Sequence, residues 1–224
     1  MNPTVSTRIW DLPTRLFHWL LAAAVIALVI TAKVGGNAME WHLRLGHFVL
    51  ALLLFRLIWG LFGGRWSRFA SFVPSPARVI RYLRGQAPHA AGHSPLGALS
   101  VIAMLLILIA QVGTGLVSDD EISFAGSLTR FVSGDTIGWA TVWHKGWGQW
   151  LLYALLGLHV LAIAYYSVAR RQRLVPAMVH GNAVVTAGTP ASQDRAIHRA
   201  AALAIALLCA LAAWWVYGLG APSF

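Results

Sequence analysis

Five of the nine histidines lie inside or at the ends of long apolar stretches. An ionisable residue at membrane depth is costly without a partner, so it is a functional candidate by default. Neutral imidazole is also the commonest metal ligand among side chains. The five are His18, His42, His47, His144 and His159. Their number favours a shared metal-binding role over five unrelated hydrogen bonds.

The elements that must position these histidines are membrane helices. Of the 224 residues, 58% are hydrophobic and 11% are charged, and the mean hydropathy is +0.66. A water-soluble domain could hardly cover such a chain with polar surface. Five stretches are long enough to cross a bilayer as helices: residues 16–32, 43–62, 96–117, 147–169 and 200–219. The sequence therefore predicts an all-α integral membrane protein.

Basic and acidic residues are concentrated in different loops, and this distribution predicts the membrane topology. The loops after the second and fourth spans are rich in arginine, whereas the loop after the third span carries Asp119, Asp120, Glu121 and Asp135. By the positive-inside rule the arginine-rich loops face the cytoplasm. We therefore expect a multi-pass protein of the bacterial inner membrane with a cytoplasmic amino terminus and a periplasmic carboxyl terminus. Because the net charge of +10 is spread over loops, nucleic acid is not expected as a partner.

On this topology the histidines fall at two depths. His42 begins the second span and His144 precedes the fourth, so both lie near the outer side. His18 begins the first span near the cytoplasmic side, and His159 lies fifteen residues beyond His144, or about 22 Å deeper along a helix. The spacing predicts an outer pair, His42 with His144, and an inner pair, His18 with His159.

Two histidines at one depth suit the two axial positions of a haem iron, where they favour electron transfer over oxygen binding. Zinc would require about four converging ligands. The single cysteine, Cys209, excludes a thioether-linked haem, which needs a CxxCH motif. We therefore expect two non-covalent, bis-histidine haems that relay an electron across the bilayer.

His42 and His47 cannot both face one site, because five residues along a helix turn the side chain by roughly 140°. His42 matches the depth of His144, whereas His47 would lie about 7.5 Å deeper. His42 also shares a stripe with Gly46, which leaves room for a flat macrocycle, and with Arg56, which is placed to pair with a haem propionate. His47 is expected to make an interhelical hydrogen bond.

Four segments resemble the bacterial cytochrome b561 and nickel-hydrogenase cytochrome b family. They are "RLFHWLL", "HLRLGHFVLALLLFRLIWG", "HSPLGALSVIAMLLIL" and "HKGWGQWLLYALLGLH", and the similarity covers roughly residues 8–181. The resemblance implies a four-helix transmembrane bundle with two b-type haems, whose axial histidines come from the first, second and fourth helices. It maps the ligand positions onto His18, His42, His144 and His159.

The spacing of the fourth-helix histidines departs from that family. The family usually places them fourteen residues apart, whereas fifteen separate His144 from His159. A helical bulge would absorb the extra residue, and Gly146 and Gly148 would make it easy. Lys145 stands where relatives often carry an acid, and it is expected to snorkel at the outer surface or to pair with a propionate.

The predicted organisation is a di-haem bundle over residues 1–181, followed by residues 182–224 as a loop and an additional C-terminal transmembrane helix. The polar stretch from His180 to Ala200 is expected to be a flexible loop ending in a short interfacial helix. The fifth helix is expected to face lipid or to form an oligomer contact, such as a homodimer interface.

Three functions are consistent with these residues. The first is electron transfer between membrane quinone and a periplasmic partner, such as a c-type cytochrome or a dehydrogenase subunit. The second is a stand-alone quinone-linked oxidoreductase, such as a superoxide oxidase, with Arg44 and Lys145 attracting the anion at the outer face. The third is a haem-free proton or metal path, which is disfavoured because the predicted spans contain no acid.

Overall fold

The computed structural model describes residues 3–86 and 91–220. The described chain contains five long helices, and each is long and apolar enough to span a membrane. They are α1 (Leu12–Val34), α2 (Ala38–Phe62), α5 (Pro95–Leu116), α7 (Gly148–Val168) and α9 (Ala196–Leu219). The shorter elements are β1 (Thr4–Arg8), α3 (Phe69–Phe72), α4 (Pro76–Leu83), α6 (Gly134–Val142), α8 (Leu174–His180) and β2 (Asn182–Thr186). The protein is an all-α integral membrane protein, as predicted.

The helices begin and end close to the predicted spans, with one notable extension. Between α6 and α7 the chain forms a π-helical turn, Trp143–Trp147, which joins the two helices into a 35-residue segment, Gly134–Val168, with a kink at Gly146. The fourth predicted span is therefore the second half of a longer helix, and His144 lies within helical structure instead of at its mouth.

A two-stranded antiparallel sheet joins the amino-terminal segment to the stretch after α8. Thr4 of β1 pairs with Thr186 of β2, and Arg8 pairs with Asn182. The prediction of a flexible loop ending in a short interfacial helix is wrong for Asn182–Thr186, which forms β2. The hydrogen-bonding partner lies more than 170 residues away, so no local pattern could indicate the pairing.

The chain forms two compact units, and each takes part of every long helix. The first unit comprises Met1–Phe17, Arg56–Met104 and Leu155–Leu203. The second unit comprises His18–Phe55, Leu105–Ala154 and Ala204–Phe224.

In the first unit a buried carboxylate caps α1. The Asp11 side chain is fully buried and accepts hydrogen bonds from the Thr14 N–H at 2.8 Å, the Ser67 hydroxyl at 2.6 Å and the Trp59 indole at 3.3 Å. The bond from Thr14 satisfies one of the N–H groups that a helix start leaves open. A similar role falls to Asp194, which accepts from the Leu12 N–H at 3.2 Å and pairs with Arg199 at 2.9 Å.

In the second unit the loop between α5 and α6 is held by its own carboxylate. It is called the outer loop after its predicted side of the membrane. Oδ1 of Asp120 accepts the N–H groups of Ile122, Ser123 and Phe124 at 2.8 to 3.0 Å. Because these donors stabilise the charged carboxylate, they hold the pKa of Asp120 below its usual range. The loop is therefore ordered by local hydrogen bonds.

Candidate functional site

The second unit contains a cavity of about 610 Å³, within the size range of small-molecule and cofactor sites. Its walls come from α1, α2, α5, the outer loop and the π-helical turn leading into α7. Two of the predicted ligands, His42 and His144, line it together with Gly46, Gly115 and Lys145.

The structure brings the rings of His42 and His144 close together in the wall of this cavity. Their ring centroids are 6.1 Å apart and their planes are nearly perpendicular, at 86°. Two imidazoles bonded to opposite sides of one metal, each at about 2 Å, place their ring centres about 6 Å apart. The separation therefore suits a single metal atom between the two rings.

The hydrogen bonds of both rings leave the same nitrogen available. Nδ1 of His42 lies 3.0 Å from the Leu28 carbonyl oxygen, and Nδ1 of His144 lies 2.8 Å from that of Gln111. Because a carbonyl oxygen only accepts, each Nδ1 carries the proton and each Nε2 keeps its lone pair. In the part of the chain that the structure describes, neither Nε2 makes a hydrogen bond. A ligand histidine commonly donates its second N–H in this way.

The predicted bulge lies at His144. The π-helical turn Trp143–Trp147 contains Gly146 in a non-helical conformation, with φ −111° and ψ −106°. A π-helical turn takes in one residue more than the α-helix would at that point. A helical bulge is therefore present near Gly146, whereas its role in absorbing the extra residue before His159 stays a prediction.

Two glycines leave space beside the histidine rings. A Cβ atom on Gly46 would meet nothing within 4 Å, so the wall of the cavity is open at that position. A Cβ atom on Gly115 would lie 2.8 Å from Cε1 of His144, closer than carbon atoms pack. Gly46 thus leaves room for a macrocycle, and Gly115 lets α5 approach the His144 ring.

The donor set fits haem better than zinc. Within residues 3–86 and 91–220 no group of three or more His, Cys, Asp or Glu side chains is placed to hold a metal ion. A tetrahedral zinc site needs about four protein or water ligands, whereas haem iron takes four nitrogens from its own macrocycle and needs only two axial ligands. The pair of unprotonated Nε2 atoms beside an open cavity fits the second requirement.

His47 satisfies both of its nitrogens within the protein. Nδ1 donates to the Leu43 carbonyl at 2.7 Å, and Nε2 accepts from the Ser127 hydroxyl at 2.6 Å. The ring also packs edge-on against Tyr217 of α9, with centroids 5.1 Å apart. His47 is a hydrogen-bonding residue, as predicted, but the expectation of an interhelical bond is wrong, because Ser127 belongs to the outer loop.

The two cations predicted near the outer histidines have partners. Lys145 Nζ donates to the Asp119 carbonyl at 3.0 Å. Arg44 lies 3.7 Å from the Glu40 carboxylate, and its guanidinium stacks on the Trp41 ring at 5.2 Å. Both side chains are exposed.

In the first unit Arg56 is almost fully buried, with 3% of its surface exposed. Its guanidinium lies over the Phe69 ring at 4.7 Å and near the Phe72 ring at 5.9 Å. Nη1 has no hydrogen-bond partner among the described residues. A buried guanidinium nitrogen without a partner is energetically costly, and it suits an anionic group such as a propionate.

The other two predicted ligands, His18 and His159, are half-buried. His18 lies in the second turn of α1, with its ring edge-on to Trp19 at 5.0 Å. His159 lies near the middle of α7. Their pairing stays a prediction.

Sequence reasoning missed three residues that shape the outer site. Gln111 contacts His144 through both its carbonyl and its side chain, Gly115 makes room for the ring, and Ser127 engages His47. The signal for Gln111 was present, because an amide within an apolar span calls for a partner. For Gly115 and Ser127 no local signal exists, since their partners lie far along the chain.

Comparison with known proteins identifies the family. The family model described as prokaryotic cytochrome b561 matches residues 9–181. Relatives named "Probable Ni/Fe-hydrogenase B-type cytochrome subunit" occur in Cupriavidus necator, at 25% identity over 79% of this chain and 86% of the relative, and in Azotobacter chroococcum, at 27% over 77% and 86%. An Escherichia coli K12 relative, the "Probable Ni/Fe-hydrogenase 1 B-type cytochrome subunit", is 23% identical over 79% and 90%.

No solved structure matches the chain significantly. The family model nevertheless spans most of the chain, including all four predicted ligand histidines and Arg56. The chain therefore belongs to the prokaryotic cytochrome b561 family, whose members are b-type cytochromes of membrane electron transfer.

Proposed function

We propose that this chain is a di-haem cytochrome b that carries electrons across the bacterial inner membrane between the quinone pool and a redox partner on the periplasmic side. The observation that supports it most directly is the His42–His144 pair. The two rings have the separation and the tautomers that axial ligands of one iron require, and they line a cavity of cofactor size.

Haem b held there supplies a one-electron couple. His42 and His144 would each bind iron through Nε2, and the carbonyls of Leu28 and Gln111 hold the rings against rotation. Gly46 keeps the wall of the cavity clear beside the first ligand. Two imidazoles bound to one haem iron would favour electron transfer over ligand chemistry at the metal.

The proposal includes a second haem held by His18 and His159. Its support is the predicted depth of these residues and the family resemblance. Arg56 would bind a propionate through the Nη1 atom that has no partner among the described residues. Residues 1–181 would form the haem-binding bundle, with residues 182–224 appended as a connecting segment and a fifth helix.

The partner is inferred from the names of the relatives, which are cytochrome subunits of nickel–iron hydrogenases. We propose that a hydrogenase catalytic subunit, another dehydrogenase subunit or a c-type cytochrome docks at the periplasmic face. The proposed topology has a cytoplasmic amino terminus and a periplasmic carboxyl terminus, and a homodimer through α9 is compatible with it. Reporter fusions at Phe224 test the orientation, since only a periplasmic terminus activates alkaline phosphatase.

Haem quantification tests the cofactor proposal. Purified protein is expected to contain two haem b per chain, with a reduced-minus-oxidised spectrum of low-spin b-type cytochrome. Substituting His42 or His144 by leucine should leave one haem, as should substituting His18 or His159. A ratio of one or zero in the unsubstituted protein would overturn the di-haem assignment.

The superoxide oxidase alternative has less support. The charge of Arg44 is paired with Glu40. Lys145 donates to a neutral main-chain carbonyl and keeps its charge, so it is the residue that would attract the anion in this alternative. Rapid haem reduction by superoxide without a protein partner would favour this alternative. If the protein is instead a cytochrome that links quinone to a periplasmic partner, its haems should be reduced slowly by superoxide and fast by that partner.

A further inference from the structure

One buried amide contacts His144 twice. Gln111 lies on α5 with 9% of its surface exposed and lines the cavity. Its main-chain carbonyl accepts from Nδ1 of His144 at 2.8 Å, and its side-chain Nε2 donates to the His144 carbonyl at 3.2 Å. The amide orientation follows from chemistry, because the His144 carbonyl can only accept. The two contacts restrain the ring and the backbone of the same residue.

The π-helical turn explains why the His144 carbonyl needs an outside donor. In a continuous α-helix the Gly148 N–H would donate to the His144 carbonyl, four residues earlier. Here the Gly148 N–H donates to the Trp143 carbonyl, five residues earlier. The side chain of Gln111 therefore donates to the His144 carbonyl in place of the Gly148 N–H.

Gly148 provides the space for this contact. It is buried, and a Cβ atom there would collide with Oε1 of Gln111 and lie 2.6 Å from Nε1 of Trp143. Any larger residue would displace the Gln111 side chain from the turn. The absence of a side chain at Gly148 therefore lets the Gln111 side chain contact the π-helical turn.

We propose that Gln111 is a positioning residue that compensates for the extra residue between His144 and His159 and sets the orientation of the His144 imidazole as a ligand of the outer haem. The inference rests on the proposed function, because it takes His144 as an axial ligand. It goes beyond that function by assigning the bulge its own supporting side chain. Ring orientation and the hydrogen bond at Nδ1 both tune the electronic properties of a bound metal.

The first experiment replaces Gln111 by methionine, which has a similar length and no N–H donor. The purified holoprotein is expected to keep two haems, but the low-spin EPR signal of the outer haem should broaden and move, and its midpoint potential should shift. The inner haem of the same molecule is the internal reference. The matched control is Gln149→Met, because Gln149 lines the same cavity and makes no hydrogen bond to His144 in the described structure. Unchanged EPR and potential in Gln111→Met would overturn the proposal.

The second experiment removes the bulge by deleting Gly146. A continuous α-helix then lets the main-chain N–H of Gln149 donate to the His144 carbonyl, and the Gln111 side chain becomes dispensable. We expect Gln111→Met to cause no further EPR or potential change in this background, which is a non-additive double-mutant cycle. Should Gln111→Met alone lose the outer haem, the double variant is expected to regain it. Effects that simply add, or an outer haem that is not regained, would contradict the compensating role.

Haem counts in His144→Leu distinguish a failure of the proposed function from a failure of the positioning role of Gln111. If that variant still binds two haems, the assignment of His144 as a ligand fails, and the proposed function must be revised. If it binds one haem while Gln111→Met behaves as the unsubstituted protein, only the positioning role of Gln111 fails.

Discussion

Two histidines on α2, five residues apart, both line the cavity but differ in the hydrogen bonds of their ring nitrogens. Both ring nitrogens of His47 make hydrogen bonds within the protein, one to the Leu43 carbonyl of its own helix and one to the Ser127 hydroxyl. In His42 only Nδ1 makes a hydrogen bond among the described residues, and it donates to the Leu28 carbonyl. His144, whose ring lies close by, likewise uses only Nδ1, and both residues line the cavity. The comparison teaches that the side chain alone does not make a ligand, because the hydrogen bond at the second nitrogen decides whether the first is available.

The largest expected effect comes from removing a ligand. His42→Leu and His144→Leu should each lower the haem content from two per chain to one, because a haem iron with one axial imidazole is held weakly and opens to other ligands. His47→Leu is the matched control and should keep two haems, although it will be less stable. Pyridine haemochrome assays on purified protein measure the ratio. Equal haem loss in all three variants would show that the two histidines do not differ.

A second prediction concerns the space beside His42. Gly46→Leu should greatly reduce occupancy of the outer site, since a side chain would project into an opening where a Cβ meets nothing within 4 Å. Helix propensity alone would make the substitution favourable by about 1 kcal/mol, so a loss of haem cannot be attributed to helix weakening.

The control for that variant is Gly113→Leu. Gly113 is an exposed glycine of α5 that also has open space around it and does not line the cavity. Haem titration of the two proteins should differ by more than tenfold in apparent affinity. If both variants bind haem like the unsubstituted protein, the macrocycle does not occupy the space beside Gly46.

A third prediction concerns the other histidine. Ser127→Ala removes the donor to Nε2 of His47 and leaves a buried nitrogen without a partner, at a cost of about 1–3 kcal/mol in the free energy of unfolding. Thermal denaturation in detergent should show a lower Tm with haem content unchanged. Ser123→Ala, an exposed serine of the same loop, is expected to have no effect. Loss of haem in Ser127→Ala would mean that His47, too, contributes to the site.

The smallest expected effect is a local pH dependence of the outer loop, which carries Ser127. Since the pKa of Asp120 is lowered in the folded protein by three N–H donors, the stabilisation is fully present above the ordinary carboxyl pKa and is lost as the pH falls through the lowered value. Hydrogen exchange at Ile122, Ser123 and Phe124, corrected for intrinsic rates, should therefore accelerate at acidic pH. In Asp120→Asn this acceleration should be absent, and its persistence there would assign it to another group.

Much of the fold and half of the candidate site were accessible from the sequence. All five spans are present, because long apolar runs in a membrane protein leave few alternatives to helices. Helical periodicity showed that His42 and His47 cannot face one site, and the depth of His144 selected His42. The bulge was predicted from the family resemblance, because fifteen residues separate His144 from His159 where the family usually has fourteen. The sheet between β1 and β2, the partner of His47 and the two contacts of Gln111 were not predicted, because each joins residues far apart in the chain.

The sequence by itself determined which residues reach membrane depth and which stripe of a helix they share, since hydrophobicity and the 3.6-residue repeat act locally. Only the tertiary structure decided the state of each imidazole. Whether a ring nitrogen carries a proton depends on the carbonyl or hydroxyl that lies against it, and Leu28, Gln111 and Ser127 are brought to their histidines by the packing of distant segments.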